Sequence, residues 1–226
     1  HEFNQDISSW DMSNVNYTID MFNGAKAFNQ NIGNWEVGNV VNMWGMFANT
    51  AVFNQDISGW DVSQVKDMNR MFRNSQAFDP NIGGWDVGNV TNMRQMFYGA
   101  QAFNQNVDNW DVSNVSTMSN MFANTAVFNQ DISGWDVSNV TTMSRMFMNS
   151  QAFDQDLSAW DISKVKYMDS IFIDMTLSTA NYDSILCNWS QLELQRNVKF
   201  DGGNSKYSPG LPAASRALLE NVYNWQ

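Results

Sequence analysis

The sequence predicts an α/β repeat solenoid with short parallel strands on the inner face, short helices on the outer face, and a C-terminal cap. Three observations predict this fold. A 25-residue repeat runs through most of the chain, the apolar spacing changes within each repeat, and the periodicity stops before the C-terminus. Repeats of this size are typical of stacked architectures, because one small unit cannot bury its own apolar side chains.

The repeat is clearest at three aromatic positions. The phrase FNQDISGWDV at residues 53–62 returns unchanged at residues 128–137. Seven units follow one another with no insertion, and their aromatic residues are Phe3, Phe28, Phe53, Phe78, Phe103, Phe128 and Phe153; Trp10, Trp35, Trp60, Trp85, Trp110, Trp135 and Trp160; and Phe22, Phe47, Phe72, Phe97, Phe122, Phe147 and Phe172. Equivalent residues of successive coils are therefore expected to lie above one another.

The first element of each unit reads as a strand. Trp60 and Val62 are two residues apart, so on an extended strand they share one face, together with the nearby Ile57. A Trp on the same face as Val and Ile belongs in the core. This placement argues against an exposed row of Trp rings that binds sugars. We therefore expect the Trp ladder to be buried.

The second element of each unit reads as a short helix. Val65, Met68 and Phe72 follow the spacing i, i+3 and i+7, which is one stripe of a helix. Ser63 is a suitable N-cap, and Asn74 stands where a left-handed C-terminal residue belongs. The equivalent left-handed positions in other units include Gly24, Gly99 and Asn149.

The repeat ends shortly after Phe172, and the remaining residues predict a cap. The chain is divided into seven repeats at residues 1–176 and a capping segment at residues 177–226. Within that segment, the apolar pattern predicts a helix over 181–190, a short strand at Val198 and Phe200, and a second helix over 211–223. Terminal units of a stack usually differ from the others because they hide its last apolar face.

The repeat motifs resemble a known family. The phrases FNQDISGWDVSNVTTMSRMF at 128–147 and FNQNVDNWDVSNVSTMSNMF at 103–122 are similar to the repeats of BspA-type leucine-rich-repeat surface proteins, also described as the DUF285 group of mycoplasma lipoproteins and bacterial surface proteins. The resemblance covers essentially the whole chain. It implies a leucine-rich-repeat-like fold and an extracellular or cell-surface role in adhesion or protein binding, without assigned catalytic residues.

Charge and composition exclude several classes of partner. The net charge of −11 opposes binding to nucleic acid and to anionic lipid, because both are negatively charged. No apolar run approaches the roughly 20 residues that cross a bilayer, so we expect no membrane insertion. The chain opens at His1, partway through a repeat, and we expect it to be a piece of a longer protein.

Catalytic motifs are not apparent. The single histidine, His1, lies at the terminus, and the single cysteine, Cys187, has no histidine partner in the body of the chain. Neither a phosphate-binding glycine loop nor a C-x-x-C motif is present. We therefore predict a protein that is not an enzyme and that needs no cofactor, with calcium as a possible exception.

The calcium hypothesis concerns an acidic ladder between the Trp and Val positions. Its members are Asp11, Glu36, Asp61, Asp86, Asp111, Asp136 and Asp161. Carboxylates at equivalent places in stacked coils can share Ca²⁺ with other oxygen atoms, although no EF-hand loop is present. The alternative is local hydrogen bonding at a turn, with carboxylates that also discourage aggregation.

Variation between units concentrates on the predicted helical side, where exposed aromatic and arginine residues are candidate anchors for a partner. The candidates are Tyr17, Trp44, Arg70, Arg94, Tyr98 and Tyr167. The expected partner is an extracellular protein or glycan. The alternative is self-association, in which copies assemble into fibres or a surface layer, with calcium stabilisation as a further possibility.

Overall fold

The computed structural model describes residues 2–226, and these residues contain two helices and no sheet. Helix α1 spans Thr179–Trp189 and helix α2 spans Leu211–Tyr223. Within the described residues, parallel pairing is limited to isolated single-residue bridges. The predicted α/β solenoid, with parallel strands on one face and helices on the other, is therefore wrong.

The predicted strands are replaced by tight turns. In the third coil, the Trp60 N–H donates to the Ile57 carbonyl at 3.1 Å, and the Val65 N–H donates to the Val62 carbonyl at 2.9 Å. Each of these bonds closes a four-residue turn. Trp60 and Val62 do face the core, but Trp60 ends the first turn and Val62 begins the second, and no strand is formed between them.

The predicted helices are also replaced by turns. In this part of each coil, N–H groups that close turns alternate with N–H groups that donate to the next coil. The Met71 N–H donates to the Met68 carbonyl within the coil, whereas the Arg70 and Phe72 N–H groups donate to the Arg94 and Met96 carbonyls of the next coil. A run of four-residue turns brings residues i and i+3 to one side, as a helix does. The apolar spacing therefore did not distinguish the two.

Two residues in every coil adopt a left-handed backbone, which lets the chain alternate between turn and inter-coil bonding. The first set, all with positive φ, consists of Asp20, Gly45, Arg70, Gln95, Asn120, Arg145 and Ser170. The second set consists of Gly24, Asn49, Asn74, Gly99, Asn124, Asn149 and Asp174. The left-handed positions predicted from Gly and Asn are confirmed, although no helix precedes them.

The core is a column of stacked rings. Trp35 and Trp60 lie 6.4 Å apart, centroid to centroid, with their planes 3° from parallel. Phe47 stacks on Phe53 at 4.2 Å and on Phe72 at 5.6 Å. The Trp rings from Trp35 to Trp160 are buried, which confirms them as core, but Trp10 of the first coil is 49 % exposed.

Side-chain amides and indoles also join the coils. The Asn54 N–H donates to Asn29 Oδ1 of the preceding coil at 3.0 Å, and this contact repeats along the stack. The Trp60 indole Nε1 donates to the Ile32 carbonyl at 3.1 Å. Each coil therefore satisfies polar groups of its neighbour.

The C-terminal segment contains the two predicted helices. Ser178 caps the start of α1 by accepting a bond from the Asn181 N–H, and the predicted apolar residues Tyr182, Ile185, Leu186 and Trp189 are buried. The predicted strand at residues 198–200 is reduced to one bridge between Phe200 and Met168. The division at residue 176 stays a prediction.

Neither helix in residues 2–226 has the length needed to cross a membrane, since the longer one has 13 residues. Cys187 lies on α1, is partly exposed and is a free thiol. His1 lies outside the described residues.

Candidate binding surface

Arginine and aromatic side chains from three successive coils meet near the row of isolated bridges, which we call the bridge row and which consists of Tyr17, Asn42, Asp67, Asn92, Thr117, Thr142 and Tyr167. We call this surface the arginine–aromatic patch and define it as Trp44, Arg70, Arg73, Gln95 and Tyr98. The Arg70 guanidinium lies 5.9 Å from the Trp44 ring centroid, and the Arg73 guanidinium lies 5.2 Å from the Tyr98 ring centroid. Both distances are within the range of cation–π attraction.

Inter-coil bonding positions these side chains. The Arg70 N–H donates to the Arg94 carbonyl at 2.9 Å, and the Asn74 N–H, next to Arg73, donates to the Tyr98 carbonyl at 2.6 Å. The Arg70 side chain is fixed further because its Nε donates to Gln95 Oε1 at 2.8 Å. The guanidinium groups are therefore held on a regular backbone, which reduces the entropy lost on binding.

No carboxylate pairs with these arginines. Between residues 2 and 226, the only ion pair within 4.0 Å joins Arg216 to Glu220 on α2. The whole chain has 23 acidic residues and only 12 basic ones, so unpaired arginines at one place are not explained by a shortage of carboxylates. The patch is a local positive region on an acidic protein.

Three polar atoms in or beside the patch are shielded from solvent and have no hydrogen-bond partner within the described chain. They are Trp44 Nε1, Asn69 Oδ1 and Arg73 Nε. An unsatisfied buried polar atom costs about 1–3 kcal/mol. The patch is therefore not optimised for the isolated chain.

The structure brings together some of the predicted binding residues and separates others. Trp44, Arg70 and Tyr98 lie in the patch, and Arg94 is exposed beside it. Tyr17 and Tyr167 are 65 % and 64 % exposed, but they lie at opposite ends of the bridge row. Tyr167 borders a groove of about 360 Å³ between the last coil and the segment around Lys199.

Arg73 and Gln95 were not among the predicted binding residues. The repeat length provides the missing signal, because Arg73 precedes Tyr98 by one repeat and Gln95 follows Arg70 by one repeat. Side chains one repeat apart lie in adjacent coils, so a search for basic and aromatic residues at this separation finds Arg73 with Tyr98. Such a search does not find Gln95, which is a polar residue.

The acidic ladder makes local hydrogen bonds. Asp61 Oδ1 accepts the Ser63 N–H at 3.0 Å, and Asp86 Oδ1 accepts the Gly88 N–H at 3.1 Å. Six of the seven predicted members, all except Glu36, accept the N–H of the serine or glycine two residues ahead in this way. Glu36 shows no such bond within residues 2–226. These contacts are typical of Asx turns.

These bonds affect the titration of several ladder carboxylates. The hydroxyl and the backbone N–H of Ser63 lower the pKa of Asp61, and those of Ser113 lower the pKa of Asp111. In the described part of the chain, no three acidic, histidine or cysteine side chains come close enough to share a metal ion. Calcium binding by the ladder stays a prediction.

One comparison with known proteins gives a match. The family model described as "Mycoplasma protein of unknown function, DUF285" matches residues 1–88 and 77–189, which together span most of the chain. No curated protein and no solved structure matches the chain.

Proposed function

Since the chain belongs to the DUF285 family, we propose that it acts as a BspA-type surface protein, outside the cell, by binding a partner without chemical conversion. Its arginine–aromatic patch binds an acidic segment of a protein partner. The observation that carries this proposal is the set of arginines held against aromatic rings with no carboxylate beside them.

The chemistry of the patch favours a carboxylate-bearing ligand. Arginine presents a planar fork that bonds both oxygen atoms of a carboxylate, and such charge-assisted bonds are about twice as strong as neutral ones. Stacking against Trp44 and Tyr98 holds the two guanidinium groups, and their terminal Nη groups make no hydrogen bond within residues 2–226. An acidic segment two or three residues long therefore has two bidentate partners.

The shielded polar atoms add to the driving force. Trp44 Nε1 and Arg73 Nε are donors without acceptors. When a bound carboxylate draws the Arg73 side chain outward, the carboxylate accepts a hydrogen bond from Arg73 Nε. This bond removes part of the free-energy cost of the unsatisfied donor in the unbound protein. Binding is expected to weaken with added salt, because surface charge pairs are screened over about 10 Å at 0.1 M.

An octaglutamate peptide tests the proposal in isothermal titration calorimetry. We expect saturable binding to the parent chain, and the double variant Arg70→Gln with Arg73→Gln should raise the Kd at least tenfold, since one charged hydrogen bond is worth about 1.5–3 kcal/mol.

The matched control is Arg145→Gln. Arg145 has the same left-handed position as Arg70, three coils further on, but Ser119 stands where Trp44 stands for Arg70. This variant should bind as the parent does. Absence of saturable binding, or an equal loss in the control, would contradict the proposal, as would tighter binding of a neutral oligosaccharide than of octaglutamate.

A further inference from the structure

A groove lies between the last coil and the segment that follows α1. We call it the lysine–tyrosine groove. Its volume is about 360 Å³, and it is lined by Lys166, Tyr167, Met168, Asp169, Asn197 and Lys199. Ligand sites in proteins usually have volumes of about 300–1,000 Å³, so the groove is large enough for a small ligand. None of its residues belongs to the arginine–aromatic patch.

The groove lies where the register of the bridge row changes. Each row member from Asn42 to Thr142 pairs with one residue in the coil before it and one in the coil after it. Tyr167 pairs only with Thr142, and the next bridge joins Met168, one residue further along, to Phe200. No further row member therefore lies beside Tyr167, whose side chain is 64 % exposed.

Hydrogen bonds hold both walls of the groove. On the last coil, the Tyr167 carbonyl accepts the Met143 N–H at 2.7 Å. On the other wall, the Asn197 N–H donates to the Tyr223 carbonyl at 2.9 Å, and Asn197 Oδ1 accepts a bond from Asn224 Nδ2 at 2.6 Å. Walls that are held before a ligand arrives lose less conformational entropy on binding.

The groove contains two lysines that have no acidic partner in the described chain. Lys166 and Lys199 are exposed, and neither Nζ makes an ion pair or a hydrogen bond within residues 2–226. The one carboxylate of the groove belongs to Asp169, which accepts a hydrogen bond from the Ser144 hydroxyl. The groove is therefore positively charged, although the net charge of the whole chain is −11.

We propose that the lysine–tyrosine groove binds an acidic saccharide composed of uronic-acid sugars. The ammonium groups of Lys166 and Lys199 bind the sugar carboxylates through charge-assisted hydrogen bonds. The exposed ring of Tyr167 packs against the apolar face of a sugar ring, and Asn197 Nδ2 donates to a sugar hydroxyl. A glutamate-rich peptide supplies carboxylates, but it has no rigid ring for Tyr167 and no hydroxyl for Asn197.

Isothermal titration calorimetry with trigalacturonate tests the inference. The titrations use the double variant Arg70→Gln with Arg73→Gln as the background, so that carboxylates do not bind at the arginines of the patch. We expect saturable binding to this background. The fully methyl-esterified trisaccharide, which has no charge, should bind about tenfold more weakly, because the charge-assisted contacts are lost.

Substitutions in the groove should weaken binding in the same background. Lys166→Gln combined with Lys199→Gln should raise the Kd for trigalacturonate by roughly tenfold, since two charge-assisted contacts are lost. Tyr167→Ala should raise it by about fivefold, through the lost contact with the sugar ring. All three residues are exposed, and thermal melts check that each variant is folded.

Two residues at the same repeat positions provide matched controls. Lys66 has in the third coil the position that Lys166 has in the last coil, and Tyr17 has the repeat position of Tyr167 with nearly the same exposure, 65 %. Neither control residue lines the lysine–tyrosine groove. Lys66→Gln and Tyr17→Ala should therefore leave the Kd for trigalacturonate unchanged.

The inference and the proposed function are tested separately, because the background variant lacks the two arginines of the patch. Absence of saturable trigalacturonate binding to this background would overturn the inference and leave the octaglutamate result for the patch unaffected. Equal losses in the groove variants and in the matched controls would also overturn it. Tighter binding of triglutamate than of trigalacturonate would assign the groove to an acidic peptide instead.

Discussion

The two ends of the stack differ in how they treat the same set of contacts. At the C-terminal end, α1 reproduces the bonds of an ordinary coil: the Ser178 N–H donates to Asp154 Oδ1 at 2.8 Å, and Trp189 Nε1 donates to the Leu157 carbonyl at 3.2 Å. Gln195 Nε2 donates to the Ser163 carbonyl at 2.9 Å, as Asn39 Nδ2 does to the Ser13 carbonyl in the first coils. At the N-terminal end, the equivalent groups of the first coil are exposed.

The difference shows that a coil face requires particular partners and not a particular secondary structure. A helix satisfies the last coil as well as a series of turns satisfies the others, because Trp189 and Ser178 bring an indole and an N–H to the required places. The contacts at the two ends should therefore contribute differently to the free energy of unfolding. Substitutions at equivalent residues measure that difference.

The largest difference is expected between the terminal tryptophans. Trp189 is fully buried, so Trp189→Ala should lower the free energy of unfolding by about 3–5 kcal/mol, through the lost packing and the cavity that remains. Trp10→Ala should cost only about 1 kcal/mol, because the side chain is half exposed. Urea unfolding followed by circular dichroism measures both. Equal losses would show that the two ends are equally closed.

A smaller difference is expected between two left-handed glycines. A Cβ added at Gly203 meets the backbone carbonyls of Phe172 and Met175, whereas one added at Gly24 meets nothing within 4 Å. Gly203→Ala should therefore cost about 2–3 kcal/mol through backbone displacement at the closed end. Gly24→Ala should cost about 1 kcal/mol, from its positive φ alone.

Thermal melts of both glycine variants, with Gly59→Ala as the control, measure this difference. Gly59 has open space around its Cβ position and an ordinary φ, so its replacement should leave the melting temperature within about 2 °C of the parent. If Gly24→Ala destabilises the chain as much as Gly203→Ala, contact between the new Cβ and the Phe172 and Met175 carbonyls does not explain the loss of stability at Gly203.

The smallest effect concerns pH and arises in the repeats, from aspartates that neither tryptophan substitution removes. Hydrogen bonds from serine two residues ahead lower the pKa of Asp6, Asp11, Asp56, Asp61, Asp111, Asp131 and Asp136. A lowered pKa in the folded chain contributes stability above the unfolded value of about 3.9, and that stability is lost as pH falls through the folded pKa.

We therefore expect the urea midpoint to fall between pH 5 and pH 2.5, while the gap between Trp189→Ala and Trp10→Ala stays constant. The measurement is repeated in 0.5 M salt, because protonation also relieves repulsion in a chain of net charge −11, and salt screens that opposing effect. A midpoint that rises on acidification in high salt would show that the aspartate bonds do not stabilise the turns.

The repeat and its buried residues could be predicted from the sequence. Trp85, Phe97 and Met93 recur at fixed positions, and all three are buried. The C-terminal helices were also predictable, since Tyr182, Ile185, Leu186 and Trp189 follow helical spacing and α1 buries all four. These features depend on which side chains face inward, and apolar periodicity reports that directly.

The backbone between the buried residues could not be predicted in the same way. Val65, Met68 and Phe72 face inward in a helix and also in consecutive turns, so their spacing fits both. The deciding feature is the left-handed residue at the position of Arg70, and this position is occupied by Asp, Gly, Arg, Gln, Asn and Ser in different coils. Because most of these side chains are uncommon in that conformation, the sequence carried no signal for it.

The candidate site was partly predictable. Trp44, Arg70 and Tyr98 stood out as large or basic side chains on a variable side, and the structure places them in one patch. Tyr17 and Tyr167 stood out for the same reason but lie at opposite ends of the bridge row. Exposure alone did not distinguish the patch residues from these two tyrosines. A spacing of about one repeat between an Arg and an aromatic residue does distinguish them.

Because all repeats have the same length, the length of the stack can change by whole units. Since the Asn29, Asn54 and Asp79 side chains each bond the next coil in the same way, removal or duplication of one whole unit joins two compatible surfaces. Each such change alters the height of the column by about 4.8 Å, the spacing of hydrogen-bonded neighbours. The protein can therefore be lengthened or shortened in equal steps while the contacts that recur between all coils are kept.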